Sequence, residues 1–474
     1  MRVLFAASEA VPFAATGGLG DVAGALPLAL KKQEVNISVV LPLYESIKEN
    51  YQNQLTFLDS FYVSVGWRNQ YSGVFEYHNK GVRYLFLDNE YYFNRTGLYG
   101  YYDDAERFAF FARATIEMMI HIDLAVDIIH LNDWQTALVP VFLKLFYQQQ
   151  KRFEQVKTVT TIHNIGYQGT FDPFIIGDVL GIDESNRNRL IYNYDANFLK
   201  SAVIESDRIL TVSPTYATEL LDPWYAYGLD GLLRQYSYKL TGILNGIDTT
   251  IFNPRTDKSI AANFSLRDLS GKMLCKQALL ERFTLPDDGS PLIGIVSRLV
   301  AHKGFDLVCE VFDQLISSGY QVVVLGSGEA RFEQTFNDFH MRYPDRFGLV
   351  LGYIPELSKQ IYAGSDMFLM PSRTEPCGLS QMMALRYGSI PIVRETGGLK
   401  DTVTDSGDDK GNGFTFQSYD AYDMLNACLR AKDTYEDSEL WQQLILRAMK
   451  CKNGWGNAAG QYVKFYEEMI ANGT

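Results

Sequence analysis

The sequence predicts an α/β protein of two domains, each built on its own doubly wound parallel sheet. Three observations predict it. Short apolar or β-branched runs recur at 2–7, 36–42, 82–87, 127–131, 158–162 and 208–213, and again at 291–297, 321–325, 347–351, 366–370 and 389–394, with helix-length segments between them. Continuous apolar strands alternating with helices are the pattern of parallel sheets covered on both faces, and each series is long enough for its own sheet. Between the series, residues 248–258 have loop composition and mark the domain boundary. Finally, 474 residues are more than one ordinary core accommodates.

Along the chain, the first run, Arg2-Val3-Leu4-Phe5-Ala6-Ala7, is too short for a signal peptide and leads into Ser8-Glu9. Residues 57–87, with Tyr62, Trp67, Tyr71, Phe75, Tyr77 and Tyr84 beside Gly73 and Gly81, read as β-hairpins inserted in the first sheet. The apolar stretch 115–131 is broken by Glu117, Asp123 and Asp127, so it is not a membrane span. Near the end, the buried run Met367-Phe368-Leu369-Met370 enters a turn, Pro371-Ser372-Arg373-Thr374-Glu375-Pro376-Cys377-Gly378-Leu379-Ser380, and 381–387 reads as a helix. A last helix is expected around 455–470.

A hydrophobic fraction of 47% with 21% charged residues is globular and argues against long disorder. A net charge of −13 supplies no global positive field, which disfavours nonspecific nucleic-acid binding. Five cysteines without a CxxC fit reduced thiols in a cytoplasm better than a disulfide framework. No His/Cys/Asp cluster has metal-ligand spacing, so no metal is expected.

Several segments carry chemistry. Glu375 is a carboxylate at a strand's end beside free backbone N–H groups, a place to hold a polyhydroxylated, phosphorylated ligand. Gly18-Leu19-Gly20-Asp21-Val22-Ala23 matches a loose G-x-G-x-x-A, but about ten residues separate it from the first strand, against a nicotinamide site. A glycine loop at a helix N-terminus that lets backbone approach a diphosphate or sugar remains, as does a plain helix cap. Arg298 and Lys303, after the first strand of the second sheet, offer a planar fork and a point charge suited to a diphosphate. His163, after the strand 158–162, can donate to a sugar hydroxyl or take part in proton transfer, or be structural. His130, inside its strand, reads as core. Asn245-Gly246-Ile247-Asp248 offers an amide and a turn. Only Glu375 stands out as a cleft acid, whereas a glycosidase needs two carboxylates across the bond.

With these residues in view, the chain resembles the bacterial glycogen synthase and plant starch synthase family over nearly its whole length. The motifs are Ser8-Glu9 with Thr16-Gly17-Gly18-Leu19-Gly20-Asp21-Val22; Asn132-Asp133-Trp134-Gln135-Thr136; Thr161-Ile162-His163-Asn164; Thr211-Val212-Ser213-Pro214-Thr215-Tyr216; Leu244-Asn245-Gly246-Ile247-Asp248; Ser297-Arg298-Leu299; Lys303-Gly304; Glu375-Pro376-Cys377-Gly378-Leu379; and Thr396-Gly397-Gly398-Leu399.

The resemblance implies a GT-B fold of two facing Rossmann-like domains with a cleft between them. It divides the chain into an acceptor and catalytic domain (1–246), a nucleotide-sugar domain (247–454) and a last helix (455–474) crossing back to the first. It implies transfer of glucose from ADP-glucose to the non-reducing end of an α-1,4-glucan in the cytoplasm, with retained anomeric configuration and no metal or other cofactor.

By the same resemblance, Arg298 and Lys303 hold the diphosphate, and Glu375 binds glucose hydroxyls without acting as a covalent nucleophile. The backbone of Cys377, Gly378, Leu379 and Ser380 adds sugar and phosphate contacts. His163 lies near the anomeric carbon with Asn245 and Asp133 beside it. Tyr353 stacks on the adenine, and Gly17, Gly18 and Asp21 line the donor. Apart from the resemblance, the tyrosine-rich stretch 91–102, Tyr99 among it, offers stacking faces for a glucan acceptor, with aromatic packing of the insertion as an equal alternative.

One departure stands out: the family's loop begins Lys-Thr-Gly-Gly, and this chain has Ala15 at the lysine's place. A charge-assisted hydrogen bond is worth roughly 1.5–3 kcal/mol, so weaker donor use is expected unless another cation, such as Arg95, substitutes. His302 stands where many relatives carry glutamine. The readings left open are an active synthase, an impaired glucan-binding or regulatory paralogue, and the same reaction from UDP-glucose.

Overall fold

The computed structural model describes residues 1–408 and 410–471. The apolar runs become strands because their apolar and β-branched residues are buried on both faces: Leu4, Phe5, Val39, Val40, Ile128 and Ile129 have no exposed surface. In chain order the strands of the first half are β1 (Arg2–Ala6), β2 (Asn36–Pro42), β3 (Thr56–Val65), β4 (Arg68–Asn79), β5 (Val82–Asp88), β6 (Ile128–Asn132), β7 (Lys157–Ile162), β8 (Thr170–Phe171), β9 (Ile191–Tyr192), β10 (Asp195–Asn197), β11 (Arg208–Thr211) and β12 (Leu240–Gly242).

Nine of these form one sheet in the order β12-β11-β7-β6-β1-β2-β5-β4-β3, and β8, β10 and β9 make a small sheet of their own. From β12 to β5 every pairing is parallel; the aromatic segment supplies the antiparallel β4 and β3. The hairpins expected from the aromatic residues of 57–87 with Gly73 and Gly81 are these two strands and their pairing with β5.

The second series gives β13 (Leu292–Val296), β14 (Gln321–Gly326), β15 (Phe347–Leu351), β16 (Met367–Met370), β17 (Ile390–Arg394) and β18 (Phe414–Phe416). They form a six-stranded sheet, β15-β14-β13-β16-β17-β18, parallel throughout. The edge strands β12 and β18 fall outside the expected runs. Each has only three residues, too few to form a run against its neighbours.

The described chain divides into two compact units. Met1–Val212 and Ala217–Ile243 belong to the first with the helix Trp455–Ala471; Ser213–Tyr216 and Leu244–Gly454 belong to the second. The last helix buries Trp455, Tyr462 and Tyr466 in the core of the first unit, against the helix Gly18–Lys32. Tyr466 is tied there by the ring of His130, whose Nδ1 lies 2.6 Å from the tyrosine hydroxyl and whose Nε2 lies 2.7 Å from Thr161 Oγ1. Burial holds the His130 pKa down at about 3, so this core histidine is neutral.

The order of each sheet fixes where its ligands bind. In the first, β2 follows β1 on one side while β6 returns on the other; in the second, β14 and β16 flank β13 in the same way. Each sheet has its topological switch point there, the crevice at which open α/β sheets hold ligands at strand C-termini. In the first unit the crevice lies beyond Ala6 and Asn132, in the second beyond Val296 and Met370.

Candidate active site

In the first unit, Ser8-Glu9 follows β1, and the backbone then turns into the helix Gly18–Lys32. Glu9, only 3% exposed, folds that turn around its carboxylate. Oε2 accepts from the Thr16 N–H (2.6 Å) and hydroxyl (2.8 Å), and Oε1 from the Gly20 N–H (3.2 Å). Burial raises the Glu9 pKa against the pull of these donors, and Asp21 in the helix's first turn adds like charge.

The glycines here serve different needs. A Cβ on Gly20 would lie 2.5 Å from that of Ala15, so Gly20 is needed for packing. Gly17 and Gly18 meet nothing within 4 Å at that position, so the space over them is open to a ligand.

Across the switch point, Asn132 ends β6 and Asp133 follows with φ at +55°, an uncommon conformation for a non-glycine residue. This turn aims the Asp133 carboxylate at the end of β7, where Oδ1 accepts the His163 N–H at 2.7 Å. Burial lifts the Asp133 pKa to about 7 although the backbone N–H groups of His163 and Asn164 pull it down. The His163 ring, its pKa held down at about 3 by burial, sits with Nε2 2.9 Å from Asn132 Oδ1. Asn132 in turn donates Nδ2 to the Ala6 carbonyl at 2.9 Å, tying β6 to β1.

Tyr99 joins this group: its hydroxyl lies 2.7 Å from Ser8 Oγ, and its ring packs on Phe108. The remaining tyrosine-rich stretch divides between core and surface, with Tyr92 and Phe93 fully buried and Tyr91 and Tyr102 exposed. Arg95 is held bidentately by Asp103 at 2.6 and 2.7 Å. Its fork is thus committed, and the cation expected to stand in for a lysine at position 15 is not available there.

Beside Asp133 and His163 lies a groove of about 420 Å³ lined by Trp134, Gly166, Tyr167, Gln168, Gly169, Thr170 and Tyr227. Gly169, at φ +64°, lets its backbone lie flat on Trp134, where a Cβ would come within 2.6 Å of the ring. Tyr167 and Tyr227 are each 59% exposed, aromatic faces flanked by polar backbone.

The second unit's crevice is built from charge. Lys303 lies 2.6 Å from Glu375 Oε2, and Ser372 Oγ donates to the same oxygen at 3.0 Å. Glu375 is 6% exposed, so this ion pair is largely withdrawn from water. Gly304 makes the geometry possible: at φ +79° it brings Lys303 over the β16 loop, where a Cβ would lie 2.0 Å from the Pro371 carbonyl oxygen. Arg298, just after β13, is exposed, and among the described residues its guanidinium has no hydrogen-bond or ion-pair partner. Burial first, and then the positive charge of Lys303, lower the His302 pKa.

The loop carrying Glu375 rests on Gly397-Gly398. A Cβ on Gly397, at φ +43°, would lie 1.9 Å from the Glu375 carbonyl oxygen, and one on Gly398 2.0 Å from that of Cys377. Gly398 N–H donates to the Glu375 carbonyl at 3.1 Å. Cys377 is buried, its thiol pushed up to about 12 by desolvation, with its sulfur accepting from the Asn245 backbone. It packs and does not react. Asn245 is 5% exposed, and among the described residues its buried Oδ1 has no hydrogen-bond partner.

Gly378, at φ +68°, and Leu379 lead into the helix Ser380–Arg386. Gln381 braces the turn by donating to the Cys377 and Gly378 carbonyls, and the N–H groups at the start of the helix lack intrahelical acceptors, as at any helix N-terminus. Tyr353, beyond β15, is 87% exposed, a free aromatic face at the C-terminal edge of the same sheet.

The expected site residues thus fall into two groups, His163, Asp133, Tyr99, Ala15, Gly17, Gly18 and Asp21 in the first unit and Arg298, Lys303, Glu375, Asn245, Tyr353 and residues 377–380 in the second. Not singled out beforehand were Glu9 and Asn132, each the polar residue at or just beyond a strand end, and Ser372 and Gly397-Gly398, which were visible only as motif letters. Among the described residues no group of three or more His, Cys, Asp or Glu side chains could hold a metal ion.

Residues 2–235 match the family described as starch synthase catalytic domain, and residues 277–445 the glycosyl transferases group 1. Glycogen synthase of Anoxybacillus flavithermus is 45% identical over 99% of this chain and 98% of its own. Those of Alkaliphilus metalliredigens and Clostridium perfringens are 46% and 47% identical, over 99% of this chain and 100% and 98% of theirs. The chain belongs to the glycogen synthase family. It is accordingly a glycosyltransferase of the glycogen and starch synthase type.

Among solved structures it is similar to the catalytic domain of starch synthase IV from Arabidopsis thaliana bound to ADP and acarbose, with TM-score 0.90, 35% identity and 99% coverage of both chains. A sucrose-phosphate synthase from Thermosynechococcus elongatus shares the fold at 16% identity and TM-score 0.62. The fold is GT-B, with the two Rossmann-like sheets described above.

Proposed function

We propose that this family member transfers glucose from ADP-glucose to the non-reducing end of an α-1,4-glucan with retention at the anomeric carbon. The observation that carries the reading is the second crevice: an exposed Arg298 with no guanidinium partner among the described residues, the buried Lys303–Glu375 pair and the N–H groups at 378–380 around one switch point. Such a set suits a diphosphate and a sugar together. The similar Arabidopsis protein was solved with ADP and acarbose, a nucleotide and an oligosaccharide-like ligand, which supports the same pair of ligand classes here.

In this reading Arg298 and Lys303 neutralise the charge that develops on the departing ADP, and Tyr353 stacks on the adenine. Glu375, fixed by Lys303 and Ser372, accepts hydrogen bonds from glucose hydroxyls; one of its oxygens already carries two donors, so it is not offered as a nucleophile. The acceptor hydroxyl attacks the anomeric carbon on the face from which ADP leaves. The C1–O bond to phosphate breaks, a C1–O bond to the glucan forms, and the hydroxyl proton passes to the leaving phosphate oxygen. The aromatic groove at Trp134, Tyr167 and Tyr227 gives the glucan stacking faces beside His163 and Tyr99.

The test is release of ADP or UDP from the matching glucose donors, each with and without glycogen, followed by β-amylase digestion of the product. Primer-dependent ADP release into β-amylase-sensitive chains is expected. UDP release instead reassigns the donor, and no turnover with either donor alongside glycogen binding supports the impaired-paralogue reading that Ala15 motivates.

A further inference from the structure

We infer that Asn132 is a positioning residue that fixes the tautomer of His163, so that the imidazole meets the donor sugar through a bare Nδ1 as a hydrogen-bond acceptor. The inference deepens the proposed donor reaction and rests on it for the identity of the sugar.

The geometry leaves little choice. Asn132 is 1% exposed and its carboxamide lies between two partners. On one side is the Ala6 carbonyl oxygen, 2.9 Å from Nδ2, which can only accept. The amide nitrogen must therefore face Ala6, and Oδ1 is turned to His163 Nε2 at 2.9 Å. An amide oxygen can only accept as well, so the proton of a neutral His163 sits on Nε2 and Nδ1 keeps its lone pair.

A flipped amide would set Oδ1 against the Ala6 carbonyl and Nδ2 against the ring, and the residue is also held at its backbone. Thr136 Oγ1 lies 2.7 Å from the Asn132 N–H and 3.0 Å from its carbonyl, and Ala6 is the last residue of the central strand. The His163 backbone is held separately by Asp133 Oδ1. The ionisable neighbours do not compete for the ring: His130 is itself neutral in the core, and Asp133 spends its carboxylate on the backbone N–H groups of His163 and Asn164. A ring held neutral and accepting is unsuited to serve as a general acid toward the leaving group. Its polar task is to take a hydrogen bond from a glucose hydroxyl and so orient the ring of the sugar.

Two measurements test this. The first uses the full chain with ¹⁵N-labelled histidine, the His163 signals being those absent from His163→Gln. A neutral ring protonated at Nε2 from pH 5 to 8 is expected; a proton on Nδ1, or titration within that range, overturns the inference. The second compares deoxy and fluoro analogues of the donor at each glucose hydroxyl. A fluorine accepts but cannot donate, so at the position facing Nδ1 both analogues should lower kcat/KM alike, by about tenfold or more, and the penalty should disappear in His163→Ala. Full retention of activity by the fluoro analogue at every position sensitive to deoxygenation overturns it.

Asn132→Asp separates positioning from scaffolding. A carboxylate beside Nε2 stabilises the doubly protonated ring, so kcat/KM should acquire an acid limb between pH 5 and 7 that the parent lacks. A uniform fall at all pH values means Asn132 is a structural residue only. If unmodified ADP-glucose is not turned over at all, the donor reading fails, while the ¹⁵N result still decides the tautomer.

Discussion

The two switch-point crevices of this protein are topologically alike and chemically opposite. In the first unit the crevice is made of backbone and neutral or acidic groups: Glu9 wrapped by N–H donors, Asp133 with its pKa lifted to about 7, and His163 held neutral. Its glycine loop carries no cation, since position 15 is alanine and Arg95 is committed to Asp103. In the second unit the crevice is built around Lys303, Glu375 and Arg298. The same Rossmann-like frame thus supports either a shape-defining or a charge-defining site, according to the residues placed at the strand ends. On the proposed reading the second unit handles the phosphates and binds glucose hydroxyls through Glu375, and the first orients the sugar through His163 and receives the glucan.

The largest expected effect tests the charge-defining side. Lys303→Ala should lower kcat by about 10²–10³-fold through loss of a cation at the departing phosphate. It should also destabilise the second unit by about 3 kcal/mol because Glu375 is left as a buried, unpaired carboxylate. Steady-state kinetics and thermal denaturation read the two parts, and a variant with near-parental kcat would remove Lys303 from the chemistry.

The glycines sharpen the contrast next. Gly397→Ala meets the Glu375 carbonyl and needs a positive φ, so it should cost about 2 kcal/mol or more of unfolding free energy and displace the Glu375 loop. Gly17→Ala, at φ −168° over open space, should cost about 0.5 kcal/mol and act on ligand binding instead. Equal destabilisation in a denaturant titration would erase the distinction between a packing glycine and a ligand-facing one.

Ala15→Lys tests the missing cation. The exposed methyl leaves room for the longer chain, and the donor KM should fall about tenfold. An unchanged KM would mean the first unit takes no share of the phosphate charge.

A smaller effect concerns pH and stability. His130 is held neutral in the fold, with its pKa near 3, whereas an unfolded histidine protonates near 6.5. The unfolded chain therefore binds the extra proton, and this contribution to stability, complete above pH 6.5, is lost progressively as pH falls towards 3. In His130→Phe the fall of unfolding free energy between pH 6.5 and 4 should be shallower, starting from a lower value because Tyr466 and Thr161 lose their partner. A slope as steep as the parent's would place the proton uptake elsewhere.

Much of this was readable from sequence because strands buried on both faces leave continuous apolar runs. The central and inner strands stand where the runs do, and the strand ends drew attention to His163, Arg298 and Glu375, whereas Asp133 entered only through the family resemblance. The three-residue edge strands β12 and β18 left no such run. Partnerships across the sheet were also invisible: nothing in the letters joins Asn132 to Ala6, or Lys303 to Glu375, because the spacing between partners depends on the crossovers. Arg95 shows the limit from the other side. As a letter it was a spare cation, and only the bidentate contact with Asp103 shows that it is already engaged.

The most direct test of the division between the two crevices is calorimetric titration of ADP into the parent protein, Lys303→Ala and Asp133→Asn. The account predicts that Kd rises about tenfold or more for Lys303→Ala and changes by less than about threefold for Asp133→Asn. A large loss of ADP affinity in Asp133→Asn with little change in Lys303→Ala would contradict it.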